Sequence, residues 1–377
     1  MKKVLIVATV QSHIAQFHKP LIDWLTKNGY TVDVAAKYNL DTKPNLHLDI
    51  EGTVHDIPFE RSPFSTKNIK AYKALKKLIS EGEYDVVHCN TPVGGILTRM
   101  AARAKRRKGE LTVVYEAHGF HFFKGGSKKN WILWYPIEKW FSRYTDVLIT
   151  INQMDHALAK EKFKAKKVEY IPGVGLDLSR FEAAEKETSL REEFGLSEDT
   201  KIVFSVGELN QNKNQQVILR ALAHLNDPDI HYFLAGNGPM KESLIALASE
   251  LKISDNIHFL GYRRDIPSLL KNADVYAFPS LREGLGMASI EAMATGLPII
   301  TSDRHGINDY SENGVTGFKY DPYDYVGFAD GIKRIVYDEE LKRKMGEHNI
   351  GVSKRFTVEA SMDRLSDIYR EILKDEK

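Results

Sequence analysis

The chain has 377 residues, 42% of them hydrophobic and 28% charged, a single cysteine and a formal net charge of +2. That length exceeds what one hydrophobic core usually serves, so two domains are expected, with the cleft between them as the default ligand site. The composition excludes repeat and low-complexity classes, with disorder expected only at the last few residues, and the lone Cys89 excludes an internal disulfide or thiolate metal cluster and fits a reducing cytoplasm.

The opening "MKKVLIVATVQSH" has two lysines and an apolar run, but the run is short and lacks a small-residue cleavage site, so it reads as a buried first strand. No segment approaches the roughly 20 apolar residues needed to span a bilayer. Further β-branched runs follow in "TVDVAA", "DVVHCN", "TVVYEAHG" and "DVLITIN". Between them lie segments of helical period such as "AQFHKPLIDWLTKNG", with apolar residues at Phe17, Leu21, Ile22 and Leu25. Alternation of this kind predicts a parallel sheet covered by helices on both faces, with ligands outside the carboxyl ends of the strands.

After "YIPGVGLDLSRF" the alternation restarts with "KIVFSVGEL", "HYFLAGNGP", "IHFLGYRR", "DVYAFPS" and "PIITSD", placing a boundary near Pro172 to Leu178. The closing "EASMDRLSDIYREILKDEK" has helical spacing at Met362, Leu365, Ile368 and Ile372, a period that does not say which domain it covers.

The stretch "LREGLGMASIEAMATGLPII", residues 281–300, combines two chemistries. Gly284 and Gly286 free the backbone to turn, and a helix starting near Met287 would leave its first amides unpaired, an anion site made without a side-chain cation. A tight strand-to-helix turn explains the same glycines without any ligand. Glu283 and Glu291 are acceptor-only groups suited to sugar hydroxyls. A ligand with phosphate in its middle and polyol at both ends would use all of these, and a nucleotide diphosphate sugar has that layout.

The E-x7-E spacing in "EGLGMASIE", the following "EAMATGLPII", the preceding "FPS", "VGELNQNKN" and the "GNGP" turn together resemble glycosyltransferases of the family 4 type, across nearly the whole chain. "AHGFHFFKGG" and "WYPIEKWFSRYTDVLITIN" are similar to the subgroup that builds bacterial capsular and exopolysaccharides. The resemblance implies an α/β GT-B fold of two doubly wound Rossmann-like domains facing a central cleft. Residues 1–172 would form the acceptor-side domain and 173–355 the nucleotide-sugar domain, with a terminal helix, 356–377, free to return to the first domain.

By that resemblance Glu291 binds ribose hydroxyls, Glu283 binds the donor sugar, and the backbone of Gly284, Leu285, Gly286 and Met287 holds the diphosphate. Lys213 meets the diphosphate and the departing nucleotide, Gly207 and Gly236 form the turns beside it, and His118 contacts the donor sugar. His118, Glu283 and Lys213 are thus the expected catalytic group. Two departures stand out. Glu208 occupies the position where the family carries arginine, so Arg263, Arg264 or Arg282 would have to compensate, Arg282 being nearest the loop. Ser12 and His13 replace the paired glycines of the first turn and, with His121, are the acceptor-side candidates.

No metal-ligand spacing such as HExxH occurs, so no metal or cofactor is expected and leaving-group charge would fall to helix amides and Lys213. Retention of anomeric configuration comes from the resemblance alone. The charge is split: residues 1–180 carry 29 Lys and Arg against 18 Asp and Glu, or +11, and the remainder carries −9. Basic runs in the first half mix with Trp131, Trp134, Tyr135 and Trp140, which suits peripheral contact with the inner face of the cell membrane and a lipid-linked or glycan acceptor. Two solvated faces of opposite sign, with core aromatics, would give the same composition. Nucleic acid is disfavoured, because no base-reading module accompanies the basic runs. The expected activity is transfer of a hexosyl or N-acetylhexosaminyl group from a UDP-sugar donor; a nucleotide-sugar epimerase or hydrolase on the same fold is the alternative.

Overall fold

The computed structural model describes residues 2–43, 45–187 and 189–374; residues 375–377, the end of the expected terminal helix, lie outside the described residues. The chain divides into two compact units, Met1–Gly175 with Val358–Lys377 and Leu176–Thr357.

In the first unit seven strands form one sheet: β1 Lys3–Val10, β2 Thr31–Lys37, β3 Val54–Asp56, β4 Val86–Asn90, β5 Thr112–Ala117, β6 Val147–Thr150 and β7 Lys167–Tyr170. Their order is β3-β2-β1-β4-β5-β6-β7 and every pairing is parallel. In the register Leu5 stands beside Asp33 on one side and Val87 on the other. The central β1 is buried from Val4 to Thr9, as expected where helices cover both faces. Strands β3 and β7, absent from the sequence reading, are short additions at the two edges.

The second unit repeats the plan with β8 Lys201–Val206, β9 Ile230–Ala235, β10 Ile257–Gly261, β11 Val275–Phe278, β12 Ile299–Ser302 and β13 Gly317–Tyr320. Their order is β10-β9-β8-β11-β12-β13, again all parallel. Strand order reverses between β1 and β4 in one sheet and between β8 and β11 in the other. At such a reversal the loops leaving the carboxyl ends diverge and open a crevice.

The segment expected to form one helix after β1 forms two, Gln11–Phe17 and Lys19–Lys27, broken at His18. Pro20 explains the break: it lacks an amide proton and is tolerated only in a helix's first turn, which is where it sits. The terminal helix Val358–Lys374 packs its Leu365, Ile368, Tyr369 and Ile372 face into the first unit, where all four are buried. There the Tyr369 hydroxyl lies 2.6 Å from His88 Nδ1, and Ser361 donates to the Pro172 carbonyl. Among the described residues no helix is long and apolar enough to cross a membrane.

A buried ion pair fixes the helix Lys128–Phe141. Arg99, 1% exposed, donates to Glu138 at 2.9 Å and lies 4.0 Å from the centre of the Tyr115 ring, while Tyr115 donates its hydroxyl to the same carboxylate. Arg99→Ala strands Glu138 in the core, so urea denaturation should show a loss of about 3–5 kcal/mol. The double change Arg99→Met/Glu138→Leu should recover most of it.

Candidate active site

In the second unit the turns that follow β8, β9 and β10 lock together. Gly207 and Gly236 have φ of +147° and +150°, and the Gly236 amide donates to the Gly261 carbonyl at 2.7 Å. A Cβ on Gly236 would stand 2.0 Å from the Gly207 carbonyl oxygen. Only glycine lets these backbones approach so closely.

Beyond Gly207 the segment 210–214 is tied to the loop that follows β11. Leu281 donates its amide to the Asn212 carbonyl at 2.7 Å, and the Asn212 side chain donates to the Arg282 carbonyl at 2.9 Å. Asn214, in the left-handed region, donates to the carbonyls of Pro279 and Pro322. This lacing sets Lys213 Nζ 2.7 Å from Glu283 Oε1 and 4.7 Å from the centre of the Phe278 ring. The expected cation and the expected sugar carboxylate therefore neutralise one another.

The loop ends at Gly286, φ +92°, where a Cβ would meet Phe278 at 2.6 Å and the Tyr310 hydroxyl at 2.7 Å. The helix Met287–Ala294 starts there without a side-chain cap. Among the described residues the amides of Leu285, Gly286 and Met287 have no hydrogen-bond acceptor, leaving an electropositive helix start. The Gly306 amide donates to the Glu283 carbonyl at 3.1 Å and holds the loop from its other side.

Glu291 stands one turn into this helix, with no hydrogen-bond donor among the described residues. Burial raises its carboxyl above the ordinary 4.5, and the charge of Arg180 offsets part of that rise. Glu208 is exposed and accepts from the Asn210 side chain, so a carboxylate does occupy the place where a cation was sought. Arg263 does not compensate: its guanidinium is engaged by Asp265 and Glu193 at 2.6 Å and 3.0 Å. Arg264 is exposed, while Arg282 meets the site through its carbonyl.

In the first unit His118 follows β5, its Nε2 2.7 Å from Glu116 Oε1, and Gly119, φ +106°, turns the chain behind it. His13 lies in the helix after β1 with its ring centre 4.8 Å from that of His118. Ser12 is buried and committed to Asn39, which accepts from its amide and donates to its hydroxyl. His121 stacks on Trp134 at 4.9 Å. Of the four first-unit candidates, His13 and His118 meet ring to ring.

The sequence reading missed four groups here: His18, His88, Glu116 and Tyr369. Burial, with the neighbouring imidazoles, lowers His13 well below its usual value and pushes His18 down to about 3. Burial alone would raise the Glu116 carboxyl, but the neighbouring imidazoles of His18, His118 and His88 outweigh it and hold it well below its ordinary value. Alternate placement of His88 and Glu116 on neighbouring strands was the available signal, and it needed the strand order.

Two all-parallel α/β domains, the second with an uncapped helix start flanked by carboxylates, have the architecture of the GT-B class. The family model for group 1 glycosyl transferases matches residues 186–351, and that for glycosyl transferase 4-like domains matches residues 3–152. The chain is 41% identical over 373 residues to the putative glycosyltransferase EpsD of Bacillus subtilis, covering 98% of this chain and 96% of that protein. It is 30% identical to the Escherichia coli UDP-Gal:alpha-D-GlcNAc-diphosphoundecaprenol alpha-1,3-galactosyltransferase, covering 80% and 79%. Among solved structures, HepE of Anabaena with UDP and glucose superposes with a TM-score of 0.77 at 20% identity, over 98% of this chain and all of that one. Sucrose-phosphate synthase of Thermosynechococcus elongatus does so at 0.78 and 20%, over the full length of both. The chain belongs to the family 4 type glycosyltransferases and is a glycosyltransferase with the GT-B fold.

The contact of Gly236 with Gly207 gives a direct test of the locked turns. Gly236→Ala should destabilise by about 1–3 kcal/mol through the strained φ, with the clash adding to it, and should lower the melting temperature in a thermal scan.

Proposed function

We propose that the protein transfers a hexosyl or N-acetylhexosaminyl group from a UDP-sugar to a lipid-linked or glycan acceptor during assembly of a bacterial surface polysaccharide, with retention at the anomeric carbon. The observation that carries this reading is the grouping of Lys213, Glu283, the unpaired amides of Leu285 to Met287 and Glu291 along one loop and one helix start. In the proposed roles those amides and Lys213 take the diphosphate, Glu291 accepts from the ribose hydroxyls, and Glu283 accepts from the donor sugar. The family resemblance gives His118, oriented by Glu116, a contact with the donor sugar. The bond between the anomeric carbon and the UDP oxygen breaks as the acceptor oxygen bonds to that carbon and loses its proton. Helix amides and Lys213 stabilise the charge that builds on UDP. The name of the E. coli relative specifies a UDP-Gal donor and a diphosphoundecaprenol-linked acceptor, and HepE holds UDP and glucose, which supports the choice of donor and acceptor.

Work at the inner face of the membrane is supported by the helix Lys128–Phe141. Trp131, Trp134 and Tyr135 pack against the first unit's core, so three of the four aromatics named from the sequence are core-facing. Ile132, Leu133, Pro136 and Trp140 remain exposed, Ile132 by 78%, with Lys128 and Lys129 on the same helix and Arg143 4.5 Å from the Trp140 ring. An outward apolar stripe bordered by basic groups fits an anionic lipid interface. Ile132→Asp should reduce cosedimentation with vesicles containing anionic lipid and leave UDP affinity unchanged in calorimetry.

Glu291→Ala should weaken UDP binding at least about 30-fold, the loss of hydrogen bonds to a charged acceptor; unchanged affinity would sink the donor assignment. Because ionised Glu291 is the stronger acceptor and burial raises its carboxyl, UDP affinity should fall on acidification with a midpoint above 4.5, and Glu291→Gln should remove that dependence. Donor incubated without acceptor discriminates the alternative: full conversion to free or epimerised sugar favours hydrolysis or epimerisation, and a requirement for lipid-linked acceptor favours transfer.

A further inference from the structure

Three histidines of the first unit gather where β1 and β5 end. His13 comes from the helix Gln11–Phe17, His18 from the break that follows it, and His118 from the turn beyond β5. One ring nitrogen from each lies within 4.8 Å of the other two, and the ring centres are 4.8, 5.4 and 5.5 Å apart. Three imidazoles on one zinc ion, at about 2.0–2.1 Å, would hold their nitrogens roughly 3.3 Å apart.

Two further observations point to a ligand. The Nε2 atoms of His13 and His18 are buried with no hydrogen-bond partner, and His18 is 2% exposed. Buried polar atoms are nearly always paired, so two neighbouring orphans with lone pairs mark a place for an acceptor of electron pairs. In addition, Glu116 engages His118 through Nε2 at 2.7 Å, which leaves Nδ1 as the nitrogen for a cation. A carboxylate behind an imidazole is the usual outer support of a metal-bound histidine. The other Glu116 oxygen lies 3.2 Å from His88, whose Nδ1 meets the Tyr369 hydroxyl, so the supporting carboxylate is itself held in place.

We propose that His13, His18 and His118 form a binding site for one divalent transition cation of the zinc class, with Glu116 as its outer partner and a fourth position open to water or a ligand oxygen. Imidazole ligands suit zinc, cobalt, nickel and copper, whereas magnesium and calcium prefer oxygen. The site has no spacing signature because its ligands come from separate elements. If His118 contacts the donor sugar as proposed above, a cation on its Nδ1 competes with that contact and zinc acts as a reversible inhibitor; this last clause alone rests on the functional reading.

The test uses the full chain, stripped with a chelator that is then removed. Titration with Co2+ should give one equivalent of visible absorption, displaced by Zn2+, and Zn2+ calorimetry should give the same stoichiometry with no comparable uptake of Mg2+. His13→Gln and His18→Gln should each weaken Zn2+ at least about ten-fold; His13→Gln is the safer of the two for folding, which circular dichroism checks. Absence of Co2+ absorption, binding unaltered in the double variant, or equal uptake of Mg2+ would overturn the site. Binding at these histidines with transfer activity insensitive to Zn2+ would overturn the role given to His118 and uphold the cation site.

Discussion

Parallel strands must all leave a sheet by the same edge, and each return to the start needs a covered crossing. Both units are parallel at every pairing, so in each one the loops rich in glycine and polar side chains collect at one end while the apolar strands stay inside. The candidate donor loop, the Asn210–Asn214 segment and the Gly207 and Gly236 turns meet because β8, β9 and β11 are neighbours. His13 meets His118, and His18 meets both His118 and His88, because β1, β4 and β5 are neighbours. The chemistry at both edges follows from sheet order more than from closeness in sequence.

The candidate donor loop balances its own charges. Lys213 and Glu283 would each be costly if left alone in a partly buried loop; held 2.7 Å apart, they satisfy one another. Under the proposed roles, a diphosphate would compete for the lysine only where sugar hydroxyls engage the released carboxylate. Such an exchange favours ligands carrying both groups over inorganic phosphate or free sugar. Glu291 has no comparable partner among the described residues, and burial raises its carboxyl.

How much was legible depended on whether a feature was contiguous. The alternation of β-branched runs with helical periods was enough for the doubly wound class, and the E-x7-E block lies on one loop and its helix, so the family was readable from it. Strands β3, β7 and β13 escaped because three or four residues at a sheet edge carry too little period to register. The break at His18 was masked by apolar spacing that ran on through Pro20. Trp131 and Trp140 belong to one aromatic-rich helix with two apolar faces, one turned into the core and one outward, and composition cannot apportion them. The histidine cluster was illegible for a deeper reason: its members lie far apart in sequence and become neighbours only once strand order is known.

The helix Val358–Lys374 packs into the first unit although it is translated after the whole of the second. A ribosome therefore releases the sheet of β1 to β7 long before the Tyr369 hydroxyl can reach His88 or the Leu365–Ile372 face can cover the residues it finally buries. During synthesis the first unit must wait, partly uncovered, while the second folds around its own core. Any chaperone or membrane surface that shields apolar groups would meet the nascent enzyme in that interval, and a late frameshift would injure the domain made first.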